Sequence, residues 1–249
     1  MDAQFQAAAS SEGQAARQPL IAQARAEANT GAATAGRKQP PASGLLATGR
    51  RRRTFAAMLE VLAGDVRRLA APGLSPRRRG GVRSRIAAAL GVLPLVARRY
   101  LQSDGALEAA TLARLGALRN AFAAGNLARA TAVVRTLTRE FPLHTRGLLP
   151  ADVAPGQIRI AARLYQSTCM GCHQFYNTAS ARPAMDLFAA ARRMPAAEFL
   201  ARLIDGVHGT AFTSFANPLA QAEIAAMAAY FLKTPGPSES KTGSAPRTP

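Results

Sequence analysis

The chain has 249 residues and no tryptophan, and alanine and leucine dominate its composition, so its length allows two modest domains and its residues favour helices. The formal net charge is +18, and residues 50–99 alone hold 13 arginines against 2 acidic residues. Such a charge forms a solvated surface or attracts an acidic protein or a membrane surface. No aromatic residues are interleaved with the arginines for base stacking, which argues against a nucleic-acid partner. We therefore predict an all-α protein.

The first 53 residues are rich in Ala, Gln, Gly and Thr and end in the arginine run Arg50–Arg53. Their apolar periodicity is weak, and too little apolar surface is present to offset the loss of chain entropy on folding. We predict that residues 1–53 are disordered. The tail 235–249 is rich in Pro, Ser and Gly, and we predict the same for it.

Residues 54–142 contain four amphipathic segments that predict a four-helix bundle-like block. Thr54 is a candidate N-cap for the first segment, and Pro94 predicts a kink in the second. Pro72–Gly73 end the first segment, Asp104 is the candidate cap of the third, Gly125–Asn126 end the third, and Pro142 ends the fourth. No catalytic constellation is found in this block.

Residues 143–155 form a predicted linker, and a second block follows over 156–234. The first thirty residues lack an apolar core, so no export signal is evident. An apolar run after Arg85 (IAAALGVLPLVA) is shorter than the roughly 20 residues that span a bilayer, which favours a bundle helix.

The chain has two cysteines, and both lie in the sequence Cys169-Met-Gly-Cys172-His173. This C-x-x-C-H pattern is typical of c-type haem attachment. The spacing lets two thiols reach the two vinyl groups of one porphyrin and brings the next imidazole to the iron from the same face. The pattern predicts one covalently attached haem c, with His173 as the proximal iron ligand.

Two other sites use closely spaced cysteines. A zinc site needs four protein ligands, and the chain has no second cysteine pair. A thioredoxin-like redox pair would lie near a βαβ pattern, which this chain lacks.

The flanks of the motif resemble class I c-type cytochromes over about 154–234. GQIRIAARLYQSTC resembles the first helix of that family, and AQAEIAAMAAYFLKTP resembles the last. The resemblance implies that Tyr230 packs across the first helix near Gly156. Between these two segments, RPAMDLF resembles the segment beside the proximal histidine. The resemblance implies that the Pro183 carbonyl accepts the His173 N–H and that Pro183 and Leu187 contact the haem.

The sequence departs from this family at the sixth iron ligand. Class I cytochromes supply a methionine in a pattern such as Met-x-x-Phe, but here Phe212 occupies the methionine position. We predict that this haem is not His/Met-ligated. His208 is the candidate sixth ligand, and an open sixth site is the alternative. Met194 is a further candidate, but its position at a predicted helix boundary favours a role in packing. Met227 is assigned to the core of the last helix.

A second resemblance concerns the layout of the whole chain. A helical block, a proline-containing linker, a cytochrome domain and the string DGVHGTAFTSFANPL resemble the extracytoplasmic part of bacterial iron permeases with a fused cytochrome c, although the membrane helices are absent. This resemblance implies an iron-transport component as a partner.

We predict a non-enzymatic electron-transfer protein on the periplasmic or extracytoplasmic side of a bacterial membrane. Its partners would be a redox protein or a membrane-bound electron-transfer or iron-transport component. The alternatives are a haem sensor or accessory subunit with an open or His-ligated sixth site, and a haem peroxidase. The peroxidase ranks last because no distal acid–base set is evident beyond His208.

Overall fold

The computed structural model describes residues 43–102, 105–149, 153–174, 183–206, 217 and 219–234. Within these ranges the chain is helical and contains no strand, as the composition predicts. Four long helices come first: α1 Ser43–Ala70, α2 Pro76–Leu101, α3 Gly105–Ala123 and α4 Leu127–Glu140. Five shorter ones follow: α5 Pro155–Leu164, α6 Met170–His173, α7 Leu187–Arg193, α8 Ala196–Gly206 and α9 Gln221–Lys233.

Helix α1 begins before the predicted N-cap Thr54. The segment from Ser43 through Arg53, predicted to be disordered, is helical instead. Arginine is among the better helix formers, so the run Arg50–Arg53 continues the helix. The rest of the predicted disordered segment and the tail 235–249 lie outside the described residues.

The helix ends of the first block follow from local capping. Gly73 after α1 and Gly125 after α3 have φ of 88° and 72°, a backbone region that glycine enters without steric cost. The Ser75 hydroxyl accepts the Arg78 N–H at the start of α2, and Pro76 occupies the first turn. Asn126 caps α4 by accepting the Arg129 N–H at 2.9 Å. Helix α2 continues through Pro94 to Leu101.

Helices α1 to α4 pack around one apolar core, with α1 against α2 and α4, and α3 against α2 and α4. By length and composition α2 is apolar enough to cross a membrane, the one such helix among the described residues. In the structure one face of α2 lies in this core through Val82, Ile86, Leu90, Leu93, Ala97 and Leu101.

A second core lies among α5, α7, α8 and α9, and α1 contributes to it as well. Phe55, Leu59 and Leu62 face the first core, whereas Ala57 and Val61 lie in the second. An apolar helix that is buried on opposite faces must lie between two packed layers. Helix α1 is therefore shared by the two blocks, and its main contact with the second block is α8.

Gly64 allows this close contact. A Cβ added at Gly64 would lie 2.2 Å from the Glu198 Oε1 atom of α8. A larger residue at position 64 would therefore force the Glu198 and Arg202 side chains to move where the two helices approach each other.

Candidate functional site

The cysteine motif lies where α5 changes into a wider helical turn. Pro155 occupies the first turn of α5, which runs to Leu164 and passes into a π-helical turn over Tyr165–Cys169. Single π-turns are rare in proteins, and those that occur are often found at functional sites. The short helix α6, Met170–His173, completes the motif. Cys169 is mostly buried, whereas Cys172 is exposed, and both are free thiols.

Burial and the neighbouring Cys172 raise the pKa of the Cys169 thiol to about 11. Removing a thiolate from water disfavours its charge, so Cys169 is a neutral thiol at physiological pH. The two cysteines of the motif therefore differ in their access to solvent.

The ring of His173 is oriented by the backbone of a later segment. Its Nδ1 atom lies 2.7 Å from the Met185 carbonyl oxygen. A carbonyl only accepts hydrogen bonds, so Nδ1 carries the hydrogen and donates it. Nε2 then keeps its lone pair and is free to bind a metal, an arrangement typical of metal-ligating histidines.

The acceptor differs from the one that the family resemblance implied. Pro183 was expected to accept the imidazole N–H, but the bond goes to Met185, two residues later. Pro183 is half-buried and is not among the residues that line the cavity beside His173. In this structure the acceptor is thus Met185 and not Pro183, because the path of the backbone before Asp186 brings the Met185 carbonyl to the ring, while contact of Pro183 with a haem stays a prediction.

His173 lies on a cavity of about 240 Å³ that both blocks enclose. The second block contributes most of the wall, and α1 and α2 contribute Val61 and Arg85. The lining joins apolar side chains with two guanidinium groups and one carboxyl group: Val61, Arg85, Cys169, His173, Met185, Leu187, Phe199, Arg202, Leu203, Asp205 and Gly206. The predicted residues Cys169, His173 and Leu187 thus meet at one place.

This lining fits a haem in its chemistry. A free imidazole nitrogen and a thiol lie on one apolar cavity, and cationic side chains lie on the same wall. Haem presents a flat apolar ring with two carboxylates and an iron that binds imidazole, so each part meets a suitable group. Within the described ranges no group of three or more His, Cys, Asp or Glu could hold a bare metal ion.

The methionines divide between packing and the cavity. Met227 is 2 % exposed in the core of α9, as predicted. Met194 packs against the second core and does not line the cavity, whereas Met185 lines it next to the carbonyl that His173 contacts. His208 and Phe212, on which the sixth-ligand prediction depends, lie outside the described residues.

Aromatic rings fix the elements that surround the cavity. Tyr165 of the π-turn contacts Phe188, Tyr230 and Phe231 edge-on or tilted, at centroid distances of 5.5–6.0 Å. Such pairs add about 0.5–1.5 kcal/mol each beyond area burial. Helix α9 thus packs on α5, and Tyr230 contacts Tyr165 just after the end of α5, whereas the resemblance implied a contact near Gly156 at its start. Phe199 both lines the cavity and contacts Phe231.

A partly buried ion-pair network, which the sequence did not reveal, joins the two blocks at the wall of the cavity. Arg85 of α2 donates from Nε and Nη2 to Asp65 of α1, both at 2.5 Å. Arg202 of α8 donates from Nη2 to the same carboxylate at 2.9 Å. Arg202 also contacts Glu198, which accepts from Arg67 of α1 at 2.7 Å.

Burial lowers the pKa of Arg202 but the facing carboxylates of Asp65 and Glu198 raise it, and the carboxylates prevail. Asp65 is 1 % exposed, so it needs these charged partners. One signal was present in the sequence: Asp65 interrupts an otherwise apolar stretch of α1. Arginine is usually a surface residue, whereas Arg85 and Arg202 are partly buried.

Residues 156–231 match the family model of cytochrome c oxidase, cbb3-type, subunit III. The match covers less than half of the chain. No curated protein and no solved structure is similar enough to the chain to count as a match. Together with the helical architecture, the family match supports a class I c-type cytochrome domain in the C-terminal part of the chain. A domain of this class implies haem and suggests electron transfer with redox partners.

Proposed function

We propose that the protein is a mono-haem electron carrier whose haem c is attached covalently through Cys169 and Cys172 and ligated by His173. The observation that carries this proposal is the bond from His173 Nδ1 to the Met185 carbonyl oxygen, beside the cavity that Cys169 lines. This hydrogen bond leaves the lone pair of Nε2 free to bind iron, and His173 is the one histidine of the C-x-x-C-H motif.

The roles of the residues follow from their chemistry. Each thiol would add its S–H across one vinyl group, so that an S–C bond forms and the hydrogen goes to the other vinyl carbon. When bound, haem supplies one-electron chemistry, since its iron exchanges between the ferric and ferrous states. His173 would hold the proximal position, and Leu187 and Phe199 would exclude water from the ring.

The partners are proposed from the domain class and the charge. The matched family describes a subunit of a cbb3-type oxidase, which makes a membrane-bound electron-transfer component a suitable partner. The arginines of residues 50–99 would speed association with an acidic partner or a membrane surface. Haem c is normally attached outside the cytoplasm, so we propose an extracytoplasmic location.

A haem sensor or accessory subunit is the second candidate, and one observation favours it. Phe212 stands where class I cytochromes have their methionine ligand. A haem with an open or weakly held sixth position binds small ligands such as carbon monoxide. The layout that resembles iron permeases favours a role of such a subunit in iron uptake.

The test is an absorption spectrum of the protein purified from cells with haem-attachment machinery, followed by a pyridine haemochrome assay. We expect the haemochrome bands of a haem with two thioether bonds. A protein without haem, or with haem that organic solvent extracts, would contradict covalent attachment.

Carrier and sensor are then separated by kinetics. Fast reversible reduction without carbon monoxide binding favours the carrier, whereas fast carbon monoxide binding by the reduced protein favours the sensor.

A further inference from the structure

The wall of the cavity that faces the first block carries two guanidinium groups with unused donors. Arg85 uses Nε and Nη2 on Asp65, and Arg202 uses Nε and Nη2 on Asp65 and Glu198. Among the described residues, Nη1 of neither arginine donates a hydrogen bond to the protein, and both side chains line the cavity beside His173. Arginine presents five N–H donors in a planar fork that suits carboxylates.

We propose that Arg85, supplied by the first block, binds a haem propionate together with Arg202, so that the helical bundle completes the haem site of the cytochrome domain. This inference rests on the proposed function, because it requires haem in the cavity. Residue Arg85 lies well outside the stretch 156–231 that matches the cytochrome family, so this contact belongs to the chain and not to the family domain.

Asp65 holds both arginines in place for this role. It is buried, lies between the two guanidinium groups, and accepts from both. The hydrogen-bonded network contains three arginines (Arg67, Arg85 and Arg202) and two carboxylates (Asp65 and Glu198), and therefore has one excess positive charge. A propionate would neutralise that charge in a partly buried place.

Three neighbouring charged groups bear on this wall. Glu60 is half-buried beside Arg67 and Glu198, and burial raises its pKa. Arg68 is half-buried, and burial together with the charges of Arg202 and Arg85 lowers its pKa, as expected beside an excess of cations. Asp205 is the one acidic side chain among the lining residues, and it has an interaction of its own. A carboxylate ligand is thus drawn toward the Arg85 and Arg202 side of the cavity.

The variants are Arg85→Gln, which removes the charge and keeps a polar side chain, and Arg99→Gln as the matched control. Arg99 lies on the same helix and is exposed. Both are compared with wild type as full-length, haem-loaded protein. The first measurement is the propionate bending band in the resonance Raman spectrum, which reports hydrogen bonding to the propionates. We expect Arg85→Gln to shift this band and Arg99→Gln to leave it unchanged.

The second measurement is the reduction potential. Loss of a nearby cation favours ferric iron, so Arg85→Gln should lower the potential, by an amount equal to about a three- to tenfold change in the ratio of reduced to oxidised protein. Asp65→Asn should raise it, because both arginines lose their counter-charge. A merely structural role predicts the same sign for both variants, since loosening the interface admits water and lowers the potential in each.

An unchanged propionate band in haem-loaded Arg85→Gln overturns this inference and leaves the proposed function intact. If Arg85→Gln does not fold, Asp65→Asn decides alone: a raised potential supports the inference, and a lowered or unchanged one overturns it. A wild-type protein that never acquires haem overturns the proposed function, and this inference with it.

Discussion

His173 Nδ1 lies 2.7 Å from the backbone carbonyl oxygen of Met185, so the imidazole of the cysteine motif is oriented by the segment that precedes α7. Because the acceptor is a main-chain atom, the orientation depends on the path of the backbone and not on the methionine side chain. Asp186 holds that path, since its carboxylate caps α7 by accepting the Ala189 N–H at 3.0 Å. The orientation of the His173 ring and the start of α7 are thus coupled.

The first prediction concerns attachment. Cys169→Ala together with Cys172→Ala should abolish covalent haem, because no other cysteine exists in the chain. The measurement is haem staining after denaturing gel electrophoresis. Cys172→Ala alone is the control and should retain haem through Cys169, with a shifted haemochrome band from the unsaturated vinyl group. Haem that stays with the double variant on the gel would contradict attachment through Cys169 and Cys172.

The second prediction concerns the two thiols before haem is attached. Burial and Cys172 raise the Cys169 pKa to about 11, so at pH 8 Cys169 is almost entirely protonated and alkylates slowly. Cys172 is exposed and should react first with iodoacetamide. The measurement is mass spectrometry of the apoprotein over time, with the urea-unfolded chain as the control in which the difference disappears. Equal rates in the folded protein would contradict the prediction.

The third prediction concerns the contact between α1 and α8. Gly64→Ala should lower the free energy of unfolding by about 1–3 kcal/mol, because the new Cβ meets a carboxylate that Arg67 and Arg202 hold. Gly91→Ala is the matched control in α2. A Cβ there meets nothing within 4 Å, so this change should stabilise by roughly 0.5–1 kcal/mol. Urea unfolding of the full chain measures both, and the same sign for both variants would refute the prediction.

The fourth prediction concerns the two blocks. Residues 154–234 should fold and hold haem without residues 1–142, but with a lower Tm than the full chain. The shortened chain loses Ala57 and Val61 from its core and loses the partners Arg67 and Asp65 of its buried charges. The measurement is thermal unfolding followed by circular dichroism, after expression with an export signal and haem-attachment machinery. Failure to obtain soluble holoprotein would mean that the blocks form one cooperative unit.

The fifth prediction concerns the sixth iron ligand. We expect a spectrum without a methionine–iron band and a reduction potential below that of His/Met cytochromes, because the thioether favours reduced iron. A low-spin wild type that becomes high-spin in His208→Ala would identify His208 as the ligand. A high-spin wild type that His208→Ala leaves unchanged would indicate an open site. Phe212→Met is the converse variant and should create the methionine band, while such a band in wild type would defeat the prediction.

The local parts of the site were predictable because they depend on near neighbours in the chain. The motif Cys169–His173 has its chemistry in five consecutive residues. The helices follow from short-range periodicity and capping, as at Ser75 and Asn126. The start of α1 was predicted less well, because the helix extends through an arginine run that shows no apolar pattern.

The sequence by itself determined the helical class, the haem motif and the packing of the last helix on the first. Only the tertiary structure decided which carbonyl orients His173 and that α1 is shared between two cores. It also decided which arginines face the cavity, since Arg85 is one of 13 between residues 50 and 99. The physical reason is that the charge pattern of a sequence does not show which carboxylate will pair with which arginine. A guanidinium is buried only where folding brings a carboxylate to it from another helix, as Asp65 of α1 comes to Arg202 of α8.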